Sequence, residues 1–128
     1  MLIKRKLIPN TGWGEYVQWL RRRRRRFVVR ERSMVPTLMP GDTVLVEIGG
    51  AVQVGDIAVI RMTSLKKSLN SSSELLLIKR ISEIFYDGSV YLISDNANEL
   101  SARDSRHFGV IEANQVLGRV TSRLASSP

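Results

Sequence analysis

The sequence lacks cysteine and has a single histidine, His107. Without cysteine the chain can form no disulfide, and it has neither a thiolate nucleophile nor a cysteine ligand for a metal. One histidine also excludes a multi-histidine metal site, although a carboxylate-only site for a hard cation stays open. We therefore expect the protein to use no cofactor and no metal of its own.

Long apolar runs are missing as well. Leu75–Ile78 is one of the longest, and it falls far short of the roughly 20 residues that a membrane-spanning helix needs. Pro9 and Gly12 interrupt the stretch after the basic start at residues 4–6, so no secretory signal is predicted. With 128 residues, the chain is expected to form one cytoplasmic domain.

The excess of positive charge is confined to one end of the chain. The net charge is +8, but residues 1–32 hold eleven Lys or Arg against two acidic residues, whereas residues 33–128 hold nine basic and ten acidic residues. The body is therefore electrically ordinary, and only a basic N-terminal arm is suited to a polyanionic partner.

The arm contains a helical pattern followed by an arginine run. Its apolar residues fall at i, i+3, i+4 and i+7, which predicts a short helix; they are Trp13, Tyr16, Val17 and Leu20. Arg21–Arg26 could continue this helix, with arginines on every side. We consider three roles for the run, namely an exposed basic segment, contact with an acidic partner, and contact with an anionic membrane surface.

Beyond the arm the pattern is mainly β. Gly-Asp turns and β-branched segments predict strands, at residues 27–29, 43–48, 57–62, 75–84, 90–93 and 116–121. Asp87-Gly88 favours a two-residue hairpin, and the serine-rich residues 63–74 indicate a long mobile loop. We divide the chain into an arm (1–29), a mainly-β body (30–122) and a flexible tail (123–128).

Ser33 is the first candidate for a reactive group. It begins a stretch that contains Pro36 and Pro40, each of which removes a backbone donor and pushes the preceding residue towards extended geometry. Such a stretch holds side chains in fixed directions outside a strand, which suits a nucleophile. The alternative is a proline-rich connection between strands.

Lys79 is the second candidate. On a strand it shares a face with Leu77 and Ile81, because alternate residues point the same way. Burial among apolar groups lowers the pKa of a lysine, so that its amine can accept a proton near neutral pH. The alternative is a lysine at the strand edge whose amine reaches water.

Three segments, in order, carry a family resemblance. Ser33–Leu38 followed by Gly41-Asp42 resembles the nucleophile box of type I signal peptidases, and Leu77–Ile81 resembles their lysine box. Asp95-Asn96 and Asp104–Arg106 resemble their C-terminal box. The resemblance implies a signal peptidase/LexA-like catalytic β-fold with a short helical basic arm.

The resemblance also implies roles for residues. Ser33 would be the nucleophile and neutral Lys79 its general base. Ser101, or alternatively Ser105, would orient the lysine amine, and the other implied residues are a structural pair, Asp104 and Arg106, and a substrate pocket of Met34, Pro36 and Leu38. Two positions depart from the family pattern, because Glu31 replaces a small or hydroxyl residue and Ser94 replaces a glycine.

This chain shares the three boxes and has no predicted membrane anchor. In this it resembles the maturation proteases of nickel-type superoxide dismutase. This implies removal of an N-terminal pro-segment from the dismutase precursor, with the nickel belonging to the substrate. The alternatives are signal peptidase-like processing of exported precursors at the membrane surface, a LexA-like self-cleaving protein, and a non-catalytic module that binds nucleic acid or membrane. The chain has no Ala-Gly pair, which weighs against LexA-like self-cleavage.

Overall fold

The computed structural model describes residues 5–21, 23–63, 74–99 and 102–125. Two helices, six strands and one 3₁₀ turn follow in the order α1 (Trp13–Leu20), β1 (Arg24–Val28), β2 (Thr43–Ile48), β3 (Ile57–Thr63), β4 (Glu74–Ile84), β5 (Val90–Ile93), α2 (Ser105–Phe108), the 3₁₀ turn (Ala113–Gln115) and β6 (Val116–Ala125). The predicted mainly-β class with a short N-terminal helix is confirmed. The predicted loop at residues 63–74 falls largely outside the described residues.

The strands form one six-stranded sheet in the order β1-β2-β6-β3-β4-β5, with every neighbouring pair antiparallel. The pairings of β2 with β6, β3 with β6 and β4 with β5 contain register shifts. Such bulges bend strands and increase their twist. The sheet therefore curls, so that β1 and β4, which are distant in strand order, line one cavity.

β3 is buried on both faces. Ile57 and Val59 belong to one apolar cluster, which also includes Met34 and Leu38. Ala58 lies in a second cluster, together with β4 and β5 residues. Because successive side chains of a strand point to opposite faces, this arrangement requires the continuous apolar run that the sequence has at residues 57–60.

The arginine run does not continue the helix. Helix α1 ends at Leu20, and Arg24–Arg26 belong to β1, where they pair with residues 45–47 of β2. Arg24 forms ion pairs with Glu15 at 2.9 Å and with Glu47 at 3.3 Å. The second half of the run is thus part of the sheet, because β2 supplies both its backbone partners and a carboxylate.

Two further segments differ from the prediction at their ends. Strand β6 runs to Ala125, beyond the predicted end at residue 121, and Asn10 pairs with its Arg123. The N-terminal segment also reaches the body through Lys6, which forms a 2.8 Å ion pair with Asp56.

None of the described helices is long and apolar enough to cross a membrane.

The β4–β5 hairpin has a longer turn than the predicted two residues. The Gly88 amide donates to the Phe85 carbonyl at 2.9 Å, and the Phe85 amide donates to the Ser89 carbonyl at 2.8 Å. Gly88 has φ +86°. A type I turn followed by a glycine in the left-handed region is the usual three-residue hairpin connection, and it shifts the register of the two strands by one residue.

Gly118 of β6 is required by a close approach of two backbones. A Cβ at this position would lie 2.0 Å from the Glu47 carbonyl oxygen and 3.0 Å from Val46 Cγ1. Real Cβ atoms do not come this close to backbone, so β2 and β6 would have to separate.

We predict that Gly118→Ala lowers the free energy of unfolding by roughly 2–3 kcal/mol, because it overpacks a well-ordered interface. Urea unfolding monitored by circular dichroism would measure this. Gly14→Ala is the matched control, since a Cβ on Gly14 meets nothing within 4 Å. In helix α1 that change should be neutral or slightly stabilising. Equal stability of the two variants would contradict the role given to Gly118.

Candidate active site

Ser33 lies in the turn region that follows β1. Ser33 is buried, with 4% of the residue exposed, and the nearby Met34 and Leu38 are packed into the core. The Ser33 carbonyl accepts a 2.8 Å hydrogen bond from the Asn96 amide. The end of the stretch is closed by Asp42, whose carboxylate accepts from the Met39 amide at 2.9 Å. The sequence thus fixes Ser33 between an apolar anchor and a backbone hydrogen bond.

Lys79 projects from β4 and is 1% exposed. Its Nζ donates to Ser94 Oγ at 3.0 Å. Burial lowers the pKa of Lys79 below its ordinary value, while the charges of Glu31 and Asp104 act to raise it and that of Arg106 to lower it. The net lowering favours the neutral amine, the form that can accept a proton.

One short segment contacts both candidates. Ser94 holds the Lys79 amine, and Asn96 holds the Ser33 carbonyl. Residues two apart in a chain lie within about 7 Å of each other. Ser33 and Lys79 are therefore attached to the same three-residue segment, although they are 46 positions apart in the sequence.

Asp95, in the middle of that segment, joins three parts of the fold. It accepts hydrogen bonds from Arg80 Nη2 at 2.6 Å, from Arg80 Nε at 3.1 Å and from Thr37 Oγ1 at 2.6 Å. The side chains of Arg80 and Asp95 are fully buried. Arg80 also donates to the carbonyls of Gly55 and Lys6. Through Asp95, the ion pair thus holds Arg80, the neighbour of Lys79, close to Thr37, which belongs to the same stretch as Ser33.

Asp104 supports the segment from the other side. Its carboxylate accepts from the Ser94 amide at 2.9 Å and from Arg106 Nη2 at 2.8 Å, and it caps helix α2. Burial raises the pKa of Asp104, but hydrogen bonds from the Arg106 side chain and from the Ser94 and Arg106 amides outweigh burial and lower the pKa to about 2. A charged Asp104 therefore holds Ser94, which in turn contacts Lys79.

The serine at the lysine amine is Ser94, which in the sequence indicates only a departure from the family pattern. Ser101 lies outside the described residues. Ser105 accepts a 2.8 Å hydrogen bond from the Leu92 amide through its hydroxyl, so its observed contact is with the backbone of β5. Strand register brings Ser94 to the amine, because Arg80 pairs with Ile93 and Ser94 therefore lies across from Lys79.

A cavity of about 490 Å³ opens beside Ser33. It lies between the segment from β1 to Met34 and the first half of β4, with Val59 also in its lining. Of the predicted pocket residues, Met34 lines this cavity, whereas Leu38 packs in the core and Pro36 is exposed, and neither is among the described lining residues.

Each wall of the cavity carries a strand edge that pairs with no other described strand. β1 is at the end of the sheet and, among the described strands, pairs only with β2. In the described chain, β5 pairs with Arg80–Ile84 of β4, which leaves residues 75–78 of β4 paired on one side alone. Strand edges without a described partner therefore line the cavity on two sides, an arrangement suited to an added extended peptide.

The family model of Peptidase S24-like proteins matches residues 18–121. The chain belongs to the Peptidase S24-like family. It is thus a serine peptidase in general class, related to the LexA and signal peptidase-like proteins that its three boxes resemble. No curated protein matches the chain at a significant level, and the family match carries no information on a dismutase substrate.

We predict that Asp104→Asn destabilises this S24-like domain by roughly 2 kcal/mol at neutral pH. The folded-state pKa of about 2 lies below the ordinary value, so the stabilisation is present above about pH 4 and disappears as the pH falls towards 2. Urea unfolding of both proteins across this range would measure it. Glu83→Gln, at an exposed position of β4, is the control. A difference between wild type and Asp104→Asn that is constant with pH would contradict the assignment.

Proposed function

We propose that the protein is an endopeptidase with a Ser33–Lys79 dyad that removes an N-terminal pro-segment from a precursor protein. The observation that carries this proposal is the buried Lys79 amine, held by the same segment that anchors Ser33. Family membership supports the peptidase class.

In the proposed reaction, Ser33 Oγ attacks the carbonyl carbon of the scissile bond while its proton passes to Lys79 Nζ. The Ser33 backbone amide helps to stabilise the oxyanion. The C–N bond then breaks, and Lys79 returns the proton to the leaving amine. Water, deprotonated by Lys79, next attacks the acyl ester, releases the new carboxyl terminus and restores the Ser33 hydroxyl.

The substrate binds as an extended strand in the cavity beside Ser33. Backbone hydrogen bonds form with the cavity-lining edges of β1 and β4. Substrate side chains enter a space lined by apolar groups such as Met34, Val59 and Leu77. Arg26, Arg30 and Glu31 also line the cavity, so the ends of the substrate meet charged side chains.

The first substrate to test is the precursor of nickel-type superoxide dismutase, on the strength of the motif resemblance alone. A second candidate is cleavage of the chain itself, which membership of the S24-like family favours. One incubation distinguishes the two, because precursor cleavage shortens the added protein, whereas self-cleavage shortens the peptidase.

We predict that Ser33→Ala and Lys79→Met each reduce cleavage at least about a thousandfold, since members of a catalytic pair act as a unit. The wild-type rate should rise with pH through the lowered pKa of Lys79, as the amine loses its proton. Mass spectrometry of precursor and enzyme after incubation, from pH 6 to 10, would measure this. Ser82→Ala, which removes a hydroxyl bonded to the Tyr91 carbonyl, is the control.

Cleavage that survives in either Ser33→Ala or Lys79→Met would contradict the proposed mechanism. Thermal unfolding separates chemistry from folding, because Lys79→Met removes the cost of burying an ionisable amine and should be as stable as wild type or more so. A precursor left intact while the enzyme is shortened would favour self-cleavage.

We predict that Ser94→Ala lowers kcat on the order of 10- to 100-fold with little change in KM, because the lysine amine loses its positioning contact. Loss of a hydroxyl that accepts from the amine should also move the rising limb of the rate towards lower pH. Ser94→Thr retains a hydroxyl and should restore activity. A loss in Ser94→Ala that matches a loss of folded protein, or an unmoved pH profile, would contradict a positioning role.

A further inference from the structure

Helix α1 presents apolar side chains that nothing in the described chain covers. Trp13 is 84% exposed, Leu20 82% and Tyr16 38%, and no residue of the helix is buried. The i, i+3, i+4, i+7 stripe that predicted the helix therefore does not pack into the core. An exposed cluster of large apolar side chains of this kind marks an interaction site.

Exposed arginines follow this stripe along the chain. Arg21, Arg23, Arg25, Arg26, Arg30 and Arg32 are all exposed. Arg26 and Arg30 belong to the cavity beside Ser33, so we leave them aside. We call Arg21, Arg23 and Arg25, with Trp13, Tyr16 and Leu20, the basic aromatic face. The two nearby carboxylates offset little of the charge, since Glu15 is paired with Arg24 and Glu31 stands alone among these arginines in the sequence.

The helix is tied to the sheet. Arg24 Nε donates to Glu15 of α1 at 2.9 Å, and Arg24 also pairs with Glu47 of β2. The Arg25 guanidinium lies over the Phe27 ring, 5.6 Å from its centroid. Aromatic and basic groups thus belong to a connected part of the fold at the β1 end of the sheet.

We propose that the basic aromatic face binds the surface of an anionic lipid bilayer. The arginines attract acidic headgroups, and Trp and Tyr rings insert at the boundary between headgroups and acyl chains. A nucleic acid or an acidic protein would satisfy the arginines but would leave Trp13 and Leu20 in water, which is why the bilayer is favoured. This inference is independent of the peptidase activity.

The two tryptophans of the chain, Trp13 and Trp19, both lie in α1, so tryptophan fluorescence reports on this helix alone. The full-length protein is titrated with vesicles of phosphatidylcholine containing about one-third phosphatidylglycerol, and with vesicles of phosphatidylcholine only. We expect a blue shift and protection from iodide quenching with the anionic vesicles. Added salt should weaken the binding because it screens the headgroup charge.

Two variants test the two chemical components. Each arginine near an anionic surface contributes roughly fivefold to affinity, so Arg21→Gln/Arg23→Gln should bind about 25-fold more weakly. Trp13→Ala/Leu20→Ser should lose the blue shift of the remaining Trp19. The matched controls are Arg103→Gln and Tyr86→Ala, which change an exposed arginine and a fully exposed aromatic residue far from α1 in sequence and should bind like wild type.

Four outcomes would overturn the proposal. Equal binding to both kinds of vesicle, or no binding at low salt, would remove the role of lipid charge. Binding to duplex DNA or an acidic polypeptide that Trp13→Ala/Leu20→Ser leaves intact, without vesicle binding, would assign the face to a polyanion. A blue shift that depends on protein concentration without vesicles would assign it to a second copy of the chain.

Discussion

The buried ion pair between Arg80 and Asp95 constrains the whole site. Both carboxylate oxygens of Asp95 accept hydrogen bonds from Arg80, and one of them also accepts from Thr37. Arg80 donates further hydrogen bonds to the carbonyls of Gly55 and Lys6. A buried pair is stable only when its remaining donors and acceptors are satisfied. The turn before β3, the N-terminal segment and the serine stretch therefore keep their positions together. Lys79 is placed by Arg80, its neighbour in sequence, and Ser33 by the stretch that Thr37 ties to Asp95.

Much of the fold could be predicted from the sequence because its strands are marked locally. Apolar β-branched segments bounded by Gly-Asp turns identify β2 and β3, and the resemblance of three separate boxes indicated the fold before any pairing was known. The arginine run could not be placed in this way. Its second half lies in β1, where it pairs with residues of β2 that are distant in sequence and give no periodic signal.

Register was the main obstacle to finding the lysine's partner. A two-residue loop at Asp87-Gly88 would set Lys79 opposite Asn96. The bulge at Gly88 and a second shift between Ile81 and Glu83 move the strands by two residues, so that Ser94 takes that place. A bulge depends on packing between strands, and propensity alone does not reveal it. Ser94 was therefore visible in the sequence only as an unusual residue in place of a glycine.

The edge of β1 that pairs with no described strand has a consequence for how the protein behaves in solution. An unpaired strand edge beside an apolar cavity is a template for pairing with other chains, and proteins protect such edges with charge. Here the edge strand itself reads Arg-Arg-Arg-Phe-Val. Two copies brought edge to edge would set these arginines against each other, so the charge that makes the arm basic also opposes self-association of the edge while leaving it open to a peptide of different charge.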